Sequence, residues 1–333
     1  MAVELHEPAP TQPLVREAVP AEALNPGGEK GVSCGQFARE LIHIQVRRLG
    51  KLQADVLADR DPEPLHQLRV GLRRLRTTLG QFGAALELPD GVTERRVASV
   101  ARRTGLCRDL DVLSLRLRDH ILPELPAGER QALKKVMKRL GQDRAQALQA
   151  LLESLHSPRY LKLLARLHQW QQQPRFTPLG RQPLESWLTE WSAPCVAGLF
   201  LHPGWRETTP EAESLHDLRK RIKEARYSLE PLEPWCGPPL LVWIEDLRAA
   251  QDHLGELHDL QFLHQGVVEN ARCGRVVELP VLQAMLESQR QRHWQGWCQL
   301  AEGLCAAPSR QALHRHLLAM GSGTVALDGD AAP

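Results

Sequence analysis

The segment Leu65–Leu79, LHQLRVGLRRLRTTL, sets Leu65, Leu68, Leu72, Leu75 and Leu79 at helical spacing on one face. His66, Arg69, Arg73 and Arg76 run directly beside that face, so the pattern predicts an amphipathic helix with a basic stripe along the edge of its buried side. No Asp or Glu occurs between Pro64 and Leu86, which leaves these cations without an i,i+4 partner in their own helix. The pattern returns 150 residues later as Leu215–Leu229, LHDLRKRIKEARYSL. His66, Arg69, Arg73 and Arg76 fall on His216, Arg219, Lys223 and Arg226, while Leu65, Leu68, Leu72 and Leu79 fall on Leu215, Leu218, Ile222 and Leu229. A helix that needed only to bury its face would repeat the apolar set alone; here the cations repeat with it.

The rest of the chain follows the same helical period. Phe37, Leu41, Ile44, Leu49, Leu52 and Val56 predict a helix from Gln36 to about Ala58, which DPEP at Asp61–Pro64 ends. A third helix is expected after Pro89-Asp90-Gly91, carrying Arg95, Arg96, Arg102 and Arg103. It is expected to stop near Gly105 as a C-cap, with Asp109 capping a fourth helix. A long helix is predicted from about Gly128 to Leu155, with Lys134, Lys135, Lys138, Arg139 and Arg144 on its polar side; SPRY at Ser157–Tyr160 starts another, to about Gln173. The Pro- and Gly-bearing stretch Gln171–Pro183 reads as the boundary between halves. Beyond it, Trp187 and Trp191 fall on Phe37 and Leu41, Gly255 and Asp259 on Gly105 and Asp109, and Pro308, Leu313 and Leu317 on Pro158, Leu163 and Leu167. The expectation is an all-α protein: an internal duplication giving two helical, four-helix-type bundles related by a pseudo-twofold, residues 31–175 and 183–320. Residues 1–30, rich in Pro, Ala and Glu, read as a disordered leader, and 321–333 as a loose tail.

Composition narrows the chemistry. With 333 residues and 42% hydrophobic positions the chain can build a sizeable core, and a net charge of only +2 supplies no global field, so any electrostatic role comes from local segregation such as the stripes. Seven cysteines at irregular spacing, without CxxC, fit a reducing compartment rather than a disulfide framework or zinc site. No run of 18 apolar residues and no signal-like N-terminus occurs, and the expectation is a cytoplasmic protein without a membrane partner.

Two stripes that pack about a pseudo-twofold would bring unpaired cations together, an arrangement that makes physical sense with an anion between them. His66 and His216 suit phosphate donation better than metal ligation, since a divalent cation would be misplaced among arginines. Arg108-Asp109 and His258-Asp259 are expected at helix starts, where Arg108 or His258 would join a helix N-terminus facing the anion. There is no Walker A loop, GxGxxG, HExxH or GxSxG, and no catalytic constellation or cofactor is expected. The eight Trp sit chiefly at apolar positions of the second half, which disfavours a stacking surface for nucleic acid.

LHQLRVGLRRLRTTLGQF, GLCRDLDVL, SPRY, LHDLRKRIKEARYSLE and LGELHDLQFL, in that order, resemble the CHAD domain, the conserved histidine α-helical domain, over about residues 31–320. The resemblance implies two four-helix bundles about a basic cavity, binding of inorganic polyphosphate, and association with polyphosphate granules. By motif position it implies an anion-contacting set of His66, Arg69, Arg73, Arg76, Arg108, His216, Arg219, Lys223, Arg226 and Tyr227. The first thirty residues contain no ExExK, so the triphosphate-processing domain that some family members carry is not implied. Two other readings stay open from the residues: a phosphohydrolase or phosphotransferase acting on polyphosphate or nucleotides, and a nucleic-acid-binding helical protein. The sequence leaves the oligomeric state open.

Overall fold

Ser33 begins the first helix through a capping box: its hydroxyl accepts from the Gln36 N–H while the Gln36 side chain accepts from the Ser33 N–H. The computed structural model describes residues 31–269 and 279–320, so the expected leader and tail lie outside the described residues. The first half comprises α1 (Cys34–Ala58), α2 (Glu63–Gln81), α3 (Glu94–Arg116), α4 (Ala127–His156) and α5 (Pro158–Gln172). The second comprises α6 (Leu188–Val196), α7 (Glu213–Leu229), α8 (Pro238–Leu263), α9 (Pro280–Cys305) and α10 (Ala307–Ala319). In each half successive long helices pack side by side and the short fifth helix returns onto the first. The only extended pairing among the described residues is two isolated bridges, Ser33 with Pro183 and Leu86 with Phe176, which pin the inter-half connection to the first half. No helix among the described residues is long and apolar enough to cross a membrane.

Several elements keep the 150-residue offset. α2 and α7 begin at Glu63 and Glu213, and Pro158 and Pro308 each sit in the first turn of a helix that follows a one-residue break. α3 and α8 each run out into a π-helical turn, Leu117–Ile121 and His264–Glu269. The register is broken at α6, which spans 9 residues against 25 in α1. Pro194 inside α6 and Gly198 at φ 72° bring the helix to an end, and short 3₁₀ turns lead on to α7.

One sequence expectation is corrected here. Gly105 and Asp109 do not end one helix and start another; both lie inside the continuous α3, as Gly255 and Asp259 lie inside α8. Neither Arg108 nor His258 therefore stands at a helix N-terminus. The reason is tertiary: Val97, Ala101, Thr104, Cys107, Leu110 and Leu113 give α3 a buried face that runs straight through Gly105, as Leu247, Ala250, Leu254, Leu257 and Leu260 do through Gly255 in α8, and that packing outweighs the local preference of glycine for helix ends.

The halves join through an apolar seam. Phe37 and Phe82 of the first half meet Trp235 and Trp191 of the second, with Phe37–Trp235 centroids at 5.4 Å and Phe82–Trp191 at 4.9 Å. The Gln81 side chain, at the end of α2, donates to the carbonyls of Trp191 (2.9 Å) and Ser228 (3.2 Å), so α2 and α7 converge at their C-terminal ends. A second clasp crosses from α4: the buried Glu129 carboxylate accepts from the N–H groups of Val281 (2.9 Å) and Leu282 (3.0 Å) at the start of α9.

A candidate anion site between α2 and α7

The apolar faces of both stripe helices are buried as their spacing predicts, from Leu65, Leu68, Leu72, Leu75 and Leu79 to Leu215, Leu218, Ile222 and Leu229. Their cations divide into three environments. At the convergent end Arg226, only 2% exposed, pairs with Glu230 at 2.8 Å and lies over the buried Tyr227 ring, its guanidinium carbon 4.7 Å from the centroid. Glu230 also takes Arg74 at 3.1 Å from α2 and Arg248 at 3.3 Å from α8. Arg226 is thus neutralised within the fold and holds Tyr227 in place. Arg76, its counterpart in α2, is 48% exposed and pairs with Glu94 at 2.8 Å.

The middle of the stripes is different. Arg69, Arg73, Arg219 and Lys223 are half-buried, stand within one another's electrostatic field across the two halves, and form no ion pair among the described residues. Arg69 Nη1 donates weakly to the Ala101 carbonyl (3.4 Å) and to Thr104 Oγ1 (3.3 Å), both on α3. Nε of Arg219 is buried without a hydrogen-bond partner among the described residues. Burial and then Arg73 bring the Arg69 guanidinium down to about 10, and burial lowers Arg219 against the opposing pull of Asp259. Lys223 is pushed well below the usual lysine range by burial and by Arg219, Arg73, Arg69 and Arg226. Four cations held this way lower the stability of the empty protein, and an anion among them would reverse that effect.

At the far ends stand the histidines. His66 is half-buried near Arg108; burial, then the Arg108 charge, lowers its imidazole. His216 lies against His258, ring centroids 4.6 Å apart. Burial lowers both, and Arg219 and His216 help bring His258 to about 4.

The spacing of the stripes brought Arg69, Arg73, Arg219 and Lys223 to one place. It did not show the carboxylates that come with them: Asp109 lies within the field of Arg69 and Arg219, and Asp259, whose carboxyl burial raises to about 6, faces Arg219. Gly105 and Gly255 were readable as a repeated pair, but their use as seats for arginines was not. Among the described residues, no group of three or more His, Cys, Asp or Glu is gathered closely enough to hold a metal ion. Five of the Trp are buried in the core, namely Trp170, Trp191, Trp205, Trp243 and Trp297. Two cavities of about 470 Å³ lie elsewhere in the second half and include no stripe residue.

The sequence profile of the CHAD domain matches residues 40–267. Among solved structures, the CHAD domain from the plant Ricinus communis shares 22% identity and a TM-score of 0.55, covering 86% of this chain and 92% of that one. PptA from Streptomyces chartreusis shares 19% identity and a TM-score of 0.58, covering 80% of this chain and 99% of its own. No match is found among curated proteins. The repeated helices, their basic stripes and a profile match that takes in both stripe helices lead to one assignment: the chain belongs to the CHAD domain family.

Proposed function

We propose that this protein binds inorganic polyphosphate through the cations between α2 and α7, performs no reaction on it, and is held by it on polyphosphate granules. The observation that carries the reading is the set Arg69, Arg73, Arg219 and Lys223, drawn from both halves and without ion pairs among the described residues. A polymer with about one negative charge per phosphate offers each of these groups a counter-charge at once and releases small counterions on binding. Guanidinium forks suit its non-bridging oxygens. His66, Arg108, His216 and His258 extend the set at either end; Arg226 and Tyr227 support it from the closed end, and Arg76 lies outside it beside Glu94. A phosphoryl-transfer reading rests on Asp109 and Asp259, but both carboxylates face guanidinium groups, which favours their holding arginines in position. Nucleic acid would call for exposed aromatic platforms on a basic outer surface, and burial of five Trp speaks against it.

The test is titration of long-chain polyphosphate at low and high salt, with the Arg69→Ala/Arg219→Ala double variant and RNA as competitor. Tight, salt-sensitive binding that the double variant loses and RNA does not displace is expected. Equal binding by the variant, or equal competition by RNA, would reduce the stripes to a generic basic face. Phosphate release from polyphosphate in the presence of Mg²⁺ would replace the binding reading with an enzymatic one.

A further inference from the structure

The two ends of the cation set are chemically different. In the first half His66 is accompanied by Arg108, whose charge is permanent; in the second half the position of Arg108 is taken by His258, 150 residues on, in ring contact with His216. Both of these imidazoles are half-buried, and Nδ1 of His216 is buried with no hydrogen-bond partner among the described residues. The groups facing them from α7 are Arg219, Lys220 and Lys223, with Asp217 beside His216. Around these stand Arg73 of α2 and Asp109 of α3 near Arg219, Asp259 of α8 facing Arg219, and Arg116 of α3 and Glu256 of α8 facing Asp259. His293 of α9 faces Glu256, and His202, in the turn before α7, faces Asp217. The immediate neighbours of His258 are cationic, and burial together with that field keeps both rings uncharged near neutral pH. A phosphate entering beside them reverses the sign of the field, so protonation of each ring becomes favourable once the anion is there.

We propose that the His216–His258 pair takes up protons when the anion binds, making the second-half end of the site pH-responsive while the Arg108 end binds with its charge already in place. This rests on the polyphosphate reading and adds regulation to the same site. The sign follows from linkage: a ligand that prefers the protonated pair binds more tightly as pH falls, by about tenfold per pH unit at most for each proton taken up. The terminal phosphates, which themselves ionise near pH ~6, are a negligible share of a long chain. Lys223 also titrates, but it serves both halves and is common to every variant compared.

The experiment is calorimetric titration of the full chain with long-chain polyphosphate at constant ionic strength, at about pH 7.5 and about pH 5.5, in buffers of different ionisation enthalpy to count protons. Wild type should gain affinity on acidification, with net proton uptake. His258→Arg, which installs the first-half residue, should bind at the higher pH nearly as tightly as wild type does at the lower, with less proton uptake. The mirror change Arg108→His should weaken binding at the higher pH and steepen the profile. Circular dichroism establishes that each variant is folded. Equal pH slopes and equal proton uptake in wild type and His258→Arg would overturn the proposal while leaving polyphosphate binding intact. No binding by wild type at either pH would remove the polyphosphate reading and this inference with it.

Discussion

Arg69 lies directly over Gly105: a Cβ at that glycine would stand 3.1 Å from Nη1 of the arginine, while a Cβ at Gly255 would stand 3.4 Å from Nη2 of Arg219, an ordinary van der Waals contact. Gly105 lets the Arg69 guanidinium rest against the backbone of α3 more closely than a side chain there would allow; the Arg219 contact over Gly255 is looser. Gly105→Ala should therefore displace Arg69 and weaken polyphosphate binding several-fold. Stability should hold, because the helix propensity gained, ~1 kcal/mol, offsets the displaced contact. Gly255→Ala, with the looser seat, should have the smaller effect on affinity. Binding isotherms and thermal melts of the two variants decide it; equal affinities for both variants and wild type would dismiss the glycines as seats.

Lys223 faces Arg69, Arg73, Arg219 and Arg226. Lys223→Met keeps an unbranched side chain, one atom shorter, and removes the charge. The empty variant should be more stable than wild type by roughly 1–2 kcal/mol, the gain expected when an unfavourably buried charge gives way to an apolar group. Polyphosphate should raise the melting temperature of wild type by mass action and raise that of the variant much less. A variant less stable than wild type would mean the ammonium has an anionic partner in the empty protein.

Glu129 caps α9 from the other half of the molecule, where the residue before the helix, Leu279, offers no capping side chain. Glu129→Ala leaves two N–H groups without an acceptor and should cost about 2 kcal/mol in urea unfolding. Glu129→Gln retains one acceptor oxygen and should cost less. Coincident unfolding curves for all three proteins would show that the clasp contributes nothing.

Five imidazoles, those of His66, His216, His253, His258 and His293, are lowered in the folded chain, each chiefly by burial. Below about pH 6.5 the unfolded chain takes up protons that the folded chain refuses, His258 until about pH 4, so stability is lost as pH falls through that window. Asp259 acts oppositely: its carboxyl is raised to about 6, so the folded chain keeps a proton that the unfolded chain releases, and that contribution is lost as pH rises through 6. Burial also raises the carboxyls of Asp246 and Asp252. Five imidazoles outweigh these three carboxyls, and the melting temperature without polyanion should fall between about pH 7 and about pH 5, less so in His258→Gln. A melting temperature that rises on acidification would contradict this balance.

Much of the fold was legible because helical period, proline breaks and capping residues act over a few residues. α2 reads from its leucines, and α5 begins where Ser157 and Pro158 say it should. The helix end expected at Gly105 failed for a tertiary reason. Gly105 followed by Asp109 carries the local signature of a helix end, yet α3 continues because its buried face, from Val97 and Ala101 to Leu110 and Leu113, packs on both sides of that glycine. Arg76 and Arg226 occupy the same place in the repeat, yet one is 48% exposed beside Glu94 and the other 2% exposed beside Glu230. Part of the difference is local, since Arg226 has Glu230 at i+4 where Arg76 has Gly80; the Glu94 partner of Arg76 comes from α3.

The sequence by itself determined most of the helices, which face of each stripe helix is buried, and that two basic stripes border those faces 150 residues apart. These are properties of a 3.6-residue period and of short-range sterics. Only the tertiary structure decided which cations meet. Arg226 has its Glu230 partner at i+4, but Arg76 received Glu94 from α3, and Arg69, Arg73, Arg219 and Lys223 were gathered from the two halves without an ion pair among the described residues, with Asp109 and Asp259 nearby. The reason is that charge pairing depends on distances of a few ångströms, and between residues far apart in the chain those distances are fixed by how the apolar faces pack.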